Sequence, residues 1–289
     1  MEGKILILGA TGTFGRPVTR SLLEKGFAVR VLTRHPQKAR RLFGMTVEIV
    51  PGDAGNEADL RRAMRGCWAV HISLPYRLDP VVMERVVGMG RETGLRRITY
   101  VSATNAHETT RRFEMSAAKL RAEARLRSSG FACTIFCPTW AMETLPRFVR
   151  GGWGLAIGSL KSTPIHFVAG EDFGRMVAAS YEDDRALGKR LFIHGPEAVP
   201  LPEALIRFVR ACYPDLHILR LLPWQARLIA ALTGRQELAE VARLIAYFDE
   251  VGELGDPSEA NALLGGPTVT LQQWIEGRKA RVLDTRHER

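Results

Sequence analysis

Near its start the chain sets a glycine at every third position, Gly9, Gly12 and Gly15, directly after a short apolar run from Ile5 to Leu8. No other feature constrains the fold as tightly. The run is rich in branched aliphatic residues and stops abruptly at glycine, which predicts a strand buried on both faces. Pro17 to Glu24 reads as a helix with proline in its first turn, where a missing N–H costs nothing. A strand that turns at once into a helix leaves backbone N–H groups exposed at the positive end of the helix dipole, an arrangement suited to a diphosphate. The glycines allow the tight turn, close approach of a ligand to the backbone, and close packing of helix on strand. Gly9, Thr11, Gly12, Thr13, Phe14 and Gly15 are therefore the first candidate cofactor contacts. The competing reading is a tight turn that holds nothing.

The chain then alternates strand and helix patterns. Ala28 to Arg34 predicts a second strand. About 20 residues past the glycines, where an acidic residue would bind the 2′-hydroxyl of NAD, it carries Thr33 and Arg34, with Lys38 one turn later. A carboxylate repels a 2′-phosphate and a guanidinium pairs with it, so NADP is expected in preference to NAD. The alternative is an Arg34 that merely faces solvent. Thr46 to Val50 is a third strand ending at Pro51-Gly52-Asp53. Asp53 is either an acceptor for the adenine amino group or the N-cap of the helix from Glu57 to Met64. Trp68 to Ser73 is a fourth strand, with His71 packed mid-strand, and it runs into Leu74-Pro75-Tyr76. Ser73, Leu74 and Pro75 are expected to line the nicotinamide side. A helix from Asp79 to Arg91 leads to a fifth strand, Arg97 to Val101, and then Ser102. A sixth, Ala132 to Cys137, leads to Pro138 and Thr139, expected to close over the nicotinamide.

Repeated alternation of this kind predicts an α/β fold: a Rossmann-type doubly wound parallel sheet with helices on both faces. In that architecture ligands gather at the carboxyl ends of the strands, where Arg16, Arg34, Ser73, Pro75, Ser102 and Asn105 all fall. Gly151-Gly152-Trp153-Gly154 reads as a hinge, a lid or an ordinary loop. Glu171 to Tyr181 is a helix and Leu191 to His194 a last strand, both expected to return to the core. From Leu201 the pattern is helical, with Ile229, Leu232, Val241, Leu244, Ile245 and Phe248 spaced for buried faces. The expected organisation is a dinucleotide-binding core over 1–138, rejoined by 171–195, and a smaller, mainly helical substrate region over 139–289. That region would serve as substrate cap, dimer surface or both, and the polar tail from Arg281 to Arg289 is expected to fray.

Basic residues exceed acidic ones by ten in 289. The excess is dispersed, largely as arginine pairs, with no basic run and no nucleic-acid motif, so a nucleic-acid partner is disfavoured. The four cysteines lack zinc-type spacing; Cys133 and Cys137 share one face of a strand, and all four read as free core thiols of a reducing compartment. No apolar span is long enough for a bilayer, and Met1 leads straight into the glycine turn, so a cytoplasmic protein without a membrane partner is expected.

Gly9 to Gly15, Gly52-Asp53, the Ser102 turn, Lys119 with Glu123, Cys137-Pro138-Thr139 and Val168-Ala169-Gly170-Glu171-Asp172 resemble the NmrA-like branch of the atypical short-chain dehydrogenase/reductases and their isoflavone-reductase-like relatives. The resemblance covers about residues 4 to 200. It implies a Rossmann core that binds NADP and a variable C-terminal region that shapes a substrate cleft. Some members reduce small molecules and others bind the dinucleotide without turnover. The wider family uses Tyr-x-x-x-Lys on a helix with a Ser or Thr after the fifth strand; helical spacing puts the two on one face, and the lysine lowers the phenol's pKa. Here the same spacing gives Met115 and Lys119. A thioether cannot pass a proton. Lys119 is left to bind the nicotinamide ribose, or else to pair with Glu123 four residues on. The candidate proton donors are Lys119, Tyr76 and His107. Trp140, Met142 and Trp224 are available to line a substrate cleft. Two functions follow: an NADPH-dependent reductase of a small, fairly apolar quinone- or enone-like substrate, or a non-catalytic NADP(H) sensor acting through a protein partner. A homodimer is compatible with either.

Overall fold

The first apolar run forms the middle of a seven-stranded parallel sheet. The computed structural model describes residues 3–159 and 162–287. In chain order the elements are β1 (Lys4–Leu8), α1 (Gly15–Glu24), β2 (Val29–Thr33), α2 (Pro36–Phe43), β3 (Glu48–Pro51), α3 (Glu57–Met64), β4 (Cys67–Ile72), α4 (Asp79–Gly90), β5 (Arg97–Val101), α5 (Glu114–Arg127) and β6 (Ala132–Pro138). There follow β7 (Val149–Arg150), β8 (Trp153–Ile157), β9 (Ile165–His166), α6 (Gly170–Ser180), β10 (Arg190–Ile193), β11 (Ala198–Val199), α7 (Leu201–Cys212), β12 (His217–Leu221), α8 (Pro223–Thr233), α9 (Gln236–Val251), α10 (Ser258–Leu264) and α11 (Leu271–His287).

By contacts the chain divides into two compact units. One comprises Met1–Pro138, Gly170–Ile193 and Gly255–Gly266; the other comprises Thr139–Ala169, His194–Leu254 and Pro267–Arg289. The first unit holds the large sheet, in the order β10-β6-β5-β4-β1-β2-β3, with every pairing parallel. The order reverses at β1, which pairs with β2 on one side and β4 on the other, and this opens a crevice at the carboxyl ends of the strands. Ile5 to Leu8 are wholly buried, as the continuous apolar run requires. One side of the sheet packs Leu60, Val82, Val86 and Leu126 from α3, α4 and α5 against Leu6, Leu8, Val70 and Ile98. On α6, a Cβ at Gly174 would lie 2.7 Å from the Pro17 carbonyl carbon, so glycine sets the close approach of α6 to α1. The rings of Phe14 and Phe173 meet beside it at 4.5 Å. The segment around α10 also belongs here, although no local pattern marks it. Lys189 pairs with Glu259 at 2.7 Å, and Arg175 donates to the carbonyls of Leu264 and Gly266.

The second unit is mainly helical, as expected, but it is not helical alone. It carries a three-stranded sheet, β12-β8-β7, and a two-stranded one, β11-β9, beside α7, α8, α9 and α11. Gly151 and Gly152, read as a hinge, a lid or an ordinary loop, form the two-residue turn of the β7–β8 hairpin with φ of +58° and +80°. Both angles lie in the left-handed region that such turns demand and glycine tolerates. Ile245 and Phe248 are buried as their spacing predicts, but Leu232 is 78% exposed and Trp224 60% exposed on α8, so neither lines an interior. Trp140 and Met142 are buried, with the Trp140 ring 5.0 Å from that of Phe248. The tail expected to fray is helical to His287, and its last two residues lie outside the described residues. No helix among the described residues is long and apolar enough to cross a membrane.

Candidate functional site

The glycine turn takes its shape from close contacts that only hydrogen fits. Gly9 has φ of +89°, and a Cβ there would stand 2.0 Å from the carbonyl oxygen of Ser73. A Cβ at Gly15 would stand 2.2 Å from the Gly9 oxygen, whereas one at Gly12 would stand 3.1 Å away. The Gly9 carbonyl accepts from Gly12 N at 2.9 Å, and Gly12 O accepts from Arg16 N at 3.1 Å, which tightens the entry to α1. Phe14 occupies the cap position and supplies no side-chain acceptor to the first turn. The fourth strand comes in from the other side: Ser73 N donates to Leu8 O at 3.0 Å, which seats Ser73 and Leu74 over Gly9. The turn and the β4 loop, read separately in the sequence, are thus one structure. Pro75 is exposed beyond them.

At the ends of β2 and β3, Arg34 and Asp53 lie 3.7 Å apart, and both are well exposed. Asp53 does not cap the following helix. Asn56 does, accepting from Asp59 N at 3.1 Å, while Asp53 Oδ1 accepts from Gly55 N within its own turn. The capping alternative for Asp53 is therefore corrected, and its carboxylate is held facing Arg34.

At the end of β5 stands a buried charge pair. Lys119 Nζ donates to Asp79 Oδ2 and to the carbonyl of Val101, both at 2.7 Å, and lies 5.1 Å from the centre of the Tyr100 ring. Tyr100 donates its hydroxyl to Asp79 Oδ2 at 2.9 Å. Asp79 is fully buried in the first turn of α4, and among the described residues its Oδ1 has no hydrogen-bond partner. Burial pushes the Asp79 carboxyl above the usual range, with Lys119 and Tyr100 pulling it back; the Tyr100 phenol is driven well up by burial and by the Asp79 charge. The alternative i to i+4 pairing of Lys119 with Glu123 is not formed among the described residues. Glu123 is taken instead by Ser102, whose buried hydroxyl donates to it, and by Arg190 Nε at 2.9 Å. Cys137 lies fully buried in the same core, its thiol pushed up to about 12 by burial.

The other donors named from sequence sit further out. Tyr76 donates to Glu114 at 3.3 Å, one residue before Met115. His107 is exposed and caps a single 3-10 turn: its Nδ1 accepts from Thr109 N and lies 2.8 Å from Thr109 Oγ1. His71 is buried beside Thr99, whose hydroxyl reaches Tyr181, and desolvation holds its pKa down to about 3. It is a packed histidine. Pro138 ends β6, paired with Ile193 of β10.

Thr139 belongs to the second unit, where its hydroxyl donates to the His166 carbonyl. His166, His194 and Glu253 converge there, with His166 Nδ1 2.6 Å from the Glu253 carboxylate and the two imidazole rings stacked at 5.5 Å. No sequence signal pointed to this group, because its members come from three segments far apart in the chain: His166 in β9, His194 just after β10 and Glu253 just after α9. Asp79 was missed for a related reason. It reads locally as an ordinary acidic residue in the first turn of a helix, and only its partner 40 positions away marks it.

Residues 9–150 match a protein-family model described as NAD(P)H-binding. Over 208 residues the chain is 28% identical to a (4-alkanoyl-5-oxo-2,5-dihydrofuran-3-yl)methyl phosphate reductase of Streptomyces griseus, covering 71% of this chain and 73% of that one. An NmrA-like family domain-containing oxidoreductase of Aspergillus versicolor is 28% identical over 48% of this chain and 44% of its own length. Apart from the Streptomyces reductase, the chain spans about half or less of the curated relatives considered. Among solved structures, the NADPH complex of a quinone oxidoreductase from Escherichia coli superposes with a TM-score of 0.76 at 22% identity, over 94% of this chain and 99% of that one. The NADP(H) complex of a triphenylmethane reductase from Citrobacter sp. gives 0.75 at 17% identity, over 95% and 99%. Over residues 9–150 the chain thus matches the NAD(P)H-binding family, and over about half of its length it is similar to NmrA-like oxidoreductases, in keeping with the strand order β3-β2-β1-β4-β5-β6-β10 and the glycine turn.

Proposed function

We propose that the chain is an NADPH-dependent reductase of a small, fairly apolar organic acceptor of the quinone or enone kind. Gly9 to Gly15 seat the diphosphate on the backbone at the α1 N-terminus, with Thr11, Thr13 and Phe14 lining the turn. Arg34 faces the 2′-phosphate, which favours NADPH over NADH, with Asp53 at the adenine. Ser73, Leu74, Pro75, Ser102 and Pro138 border the nicotinamide end, and Lys119 meets its ribose. The bound cofactor supplies the hydride; the protein supplies position and a proton.

The observation that carries this reading is the pairing of Met115 with a buried, ion-paired Lys119 at the end of β5. A site without the phenol suits acceptors whose reduced anions are stabilised by conjugation, because these need the least help from a positioned acid. The named activities of the relatives agree in kind: one acts on an alkanoyl-oxo-dihydrofuran phosphate, one on quinones, one on triphenylmethane dyes. The test is oxidation of NADPH by the purified chain against quinones, enones, imines and azo compounds. Acceptor-dependent turnover that is lost in Lys119→Met supports the reductase. Met115 also favours a second reading, a non-catalytic sensor that passes the NADPH/NADP balance to a protein partner, whose signature is tight binding with no turnover across the panel.

A further inference from the structure

The ammonium of Lys119 is buried, and among the described residues two of its three donors are engaged, by Asp79 Oδ2 and the Val101 carbonyl. The third is left at the carboxyl end of β5, the edge at which this fold presents its ligands. Without Asp79 this charge would stand in a core of Tyr100, Cys137 and Ala122, where an unpaired ammonium gives up its proton rather than its solvation. The remaining charged or titratable groups around it are Tyr100 from β5, Cys137 from β6, Glu123 on its own helix and Arg190 from β10. Tyr100 and Cys137 are held protonated by burial, and Glu123 is taken by Arg190 and Ser102. That leaves Asp79, among the described residues, as the carboxylate in direct contact with the lysine.

We propose that Asp79 is the positioning residue that compensates for Met115: by ion-pairing Lys119 from the first turn of α4, it keeps the lysine charged and aimed along the end of β5, so that the lysine itself is the proton source. The inference rests on the reductase reading above and adds to it the partner that makes a lysine acid workable there. The cofactor, when bound, would supply the hydride and leave an acceptor anion to be protonated. The acceptor's anion takes a proton from the Lys119 ammonium as that N–H bond breaks, and solvent reprotonates the amine. Asp79 Oδ2 keeps its two hydrogen bonds throughout and never touches the acceptor.

The test separates this claim from the reductase reading by using a readout that needs no turnover. Full-length wild type and Asp79→Asn are labelled with acetic anhydride across neutral pH, and Lys119 modification is followed by mass spectrometry, with alkylation of the buried Cys137 as a monitor of unfolding. The expected result is a Lys119 that resists in the wild type and reacts at least about tenfold faster in Asp79→Asn, the factor one pH unit represents, while Cys137 stays protected. Asp79→Glu, which keeps the charge and moves it by one methylene, is expected to retain most of the protection and carries the comparison should Asp79→Asn not fold. An unchanged labelling rate, or an equal rise at Cys137 and Lys119, overturns the proposal. With an active acceptor in hand, the alkaline limb of kcat moves down by about a pH unit in Asp79→Asn while the Kd for NADPH changes less than about threefold. An unmoved limb contradicts the proposal. A wild type that binds NADPH and reduces nothing defeats the reductase reading, and labelling still decides whether Asp79 holds the charge on Lys119.

Discussion

The glycine turn and the Lys119 pocket lie along the same edge of the same sheet, at the ends of β1 and β5, but they are specified in different ways. The turn is fixed by backbone: Gly9, Gly12 and Gly15 are neighbours in sequence, and their contacts are with carbonyl oxygens within about a turn or in the adjacent strand. The pocket is fixed by side chains drawn from α4, β5 and α5, with Asp79 and Lys119 40 residues apart. A local motif of the first kind survives wide divergence of the rest of the chain and is recognised on sight. A pocket of the second kind can change its side chains while the fold stays the same.

The difference can be attacked from either side. Gly15→Ala is expected to have the largest effect, because its Cβ would meet the Gly9 oxygen at 2.2 Å. Thermal melts should show a loss of roughly 3 kcal/mol or more, and an NADPH titration should show no binding. Near-normal binding by this variant would mean that the turn is not the seat. Lys119→Met should leave the fold intact, since methionine fills the stem's volume, and lower kcat by about 100-fold or more with the best acceptor. A drop of only a few-fold would return the proton to Tyr76 or solvent.

Behind both sites, in the sheet itself, His71 offers an effect that depends on burial alone. Its folded pKa of about 3 lies below the ordinary 6.5, so below 6.5 the unfolded chain takes up a proton that the folded chain does not. Its contribution to stability is complete above about pH 6.5 and is lost as pH falls toward 3, at up to about 1.4 kcal/mol per pH unit. Chemical denaturation from pH 7 to 4 should show this slope, and His71→Leu should lose that share of it. In the second unit, Gly151→Ala should cost only about 1 kcal/mol, the ordinary penalty of a left-handed alanine, with kcat unaltered. A large change in kcat would restore the lid that the hairpin geometry replaces.

What could be read from sequence follows the same division. The strands of the large sheet and their order of use were legible because buried runs, glycines and helix patterns are local signals. β5 and α3 agree with the expected bounds to the residue, while β2 and β3 differ by one or two residues at their ends. The second unit was legible only as helices. Its β7–β8 hairpin is too short to show a period, and β12 pairs with β8 across some 60 residues. Lys119 was found by its spacing from Met115, but Glu123 was named as its alternative partner because that residue lies one turn away. The folded chain preferred Asp79, since a buried carboxylate needs a cation more than an arginine-paired one does. The convergence of His166, His194 and Glu253, and the return of α10 to the first unit, are likewise products of tertiary contact.

The central claim is that the turn and Arg34 together seat NADPH. Calorimetric titration of the wild type and Arg34→Glu with NADPH and with NADH tests it most directly. The account predicts one cofactor per chain, with NADPH bound tighter than NADH by about tenfold or more and that preference lost or reversed in Arg34→Glu. Equal affinities in the wild type, or a ratio untouched by Arg34→Glu, would contradict it.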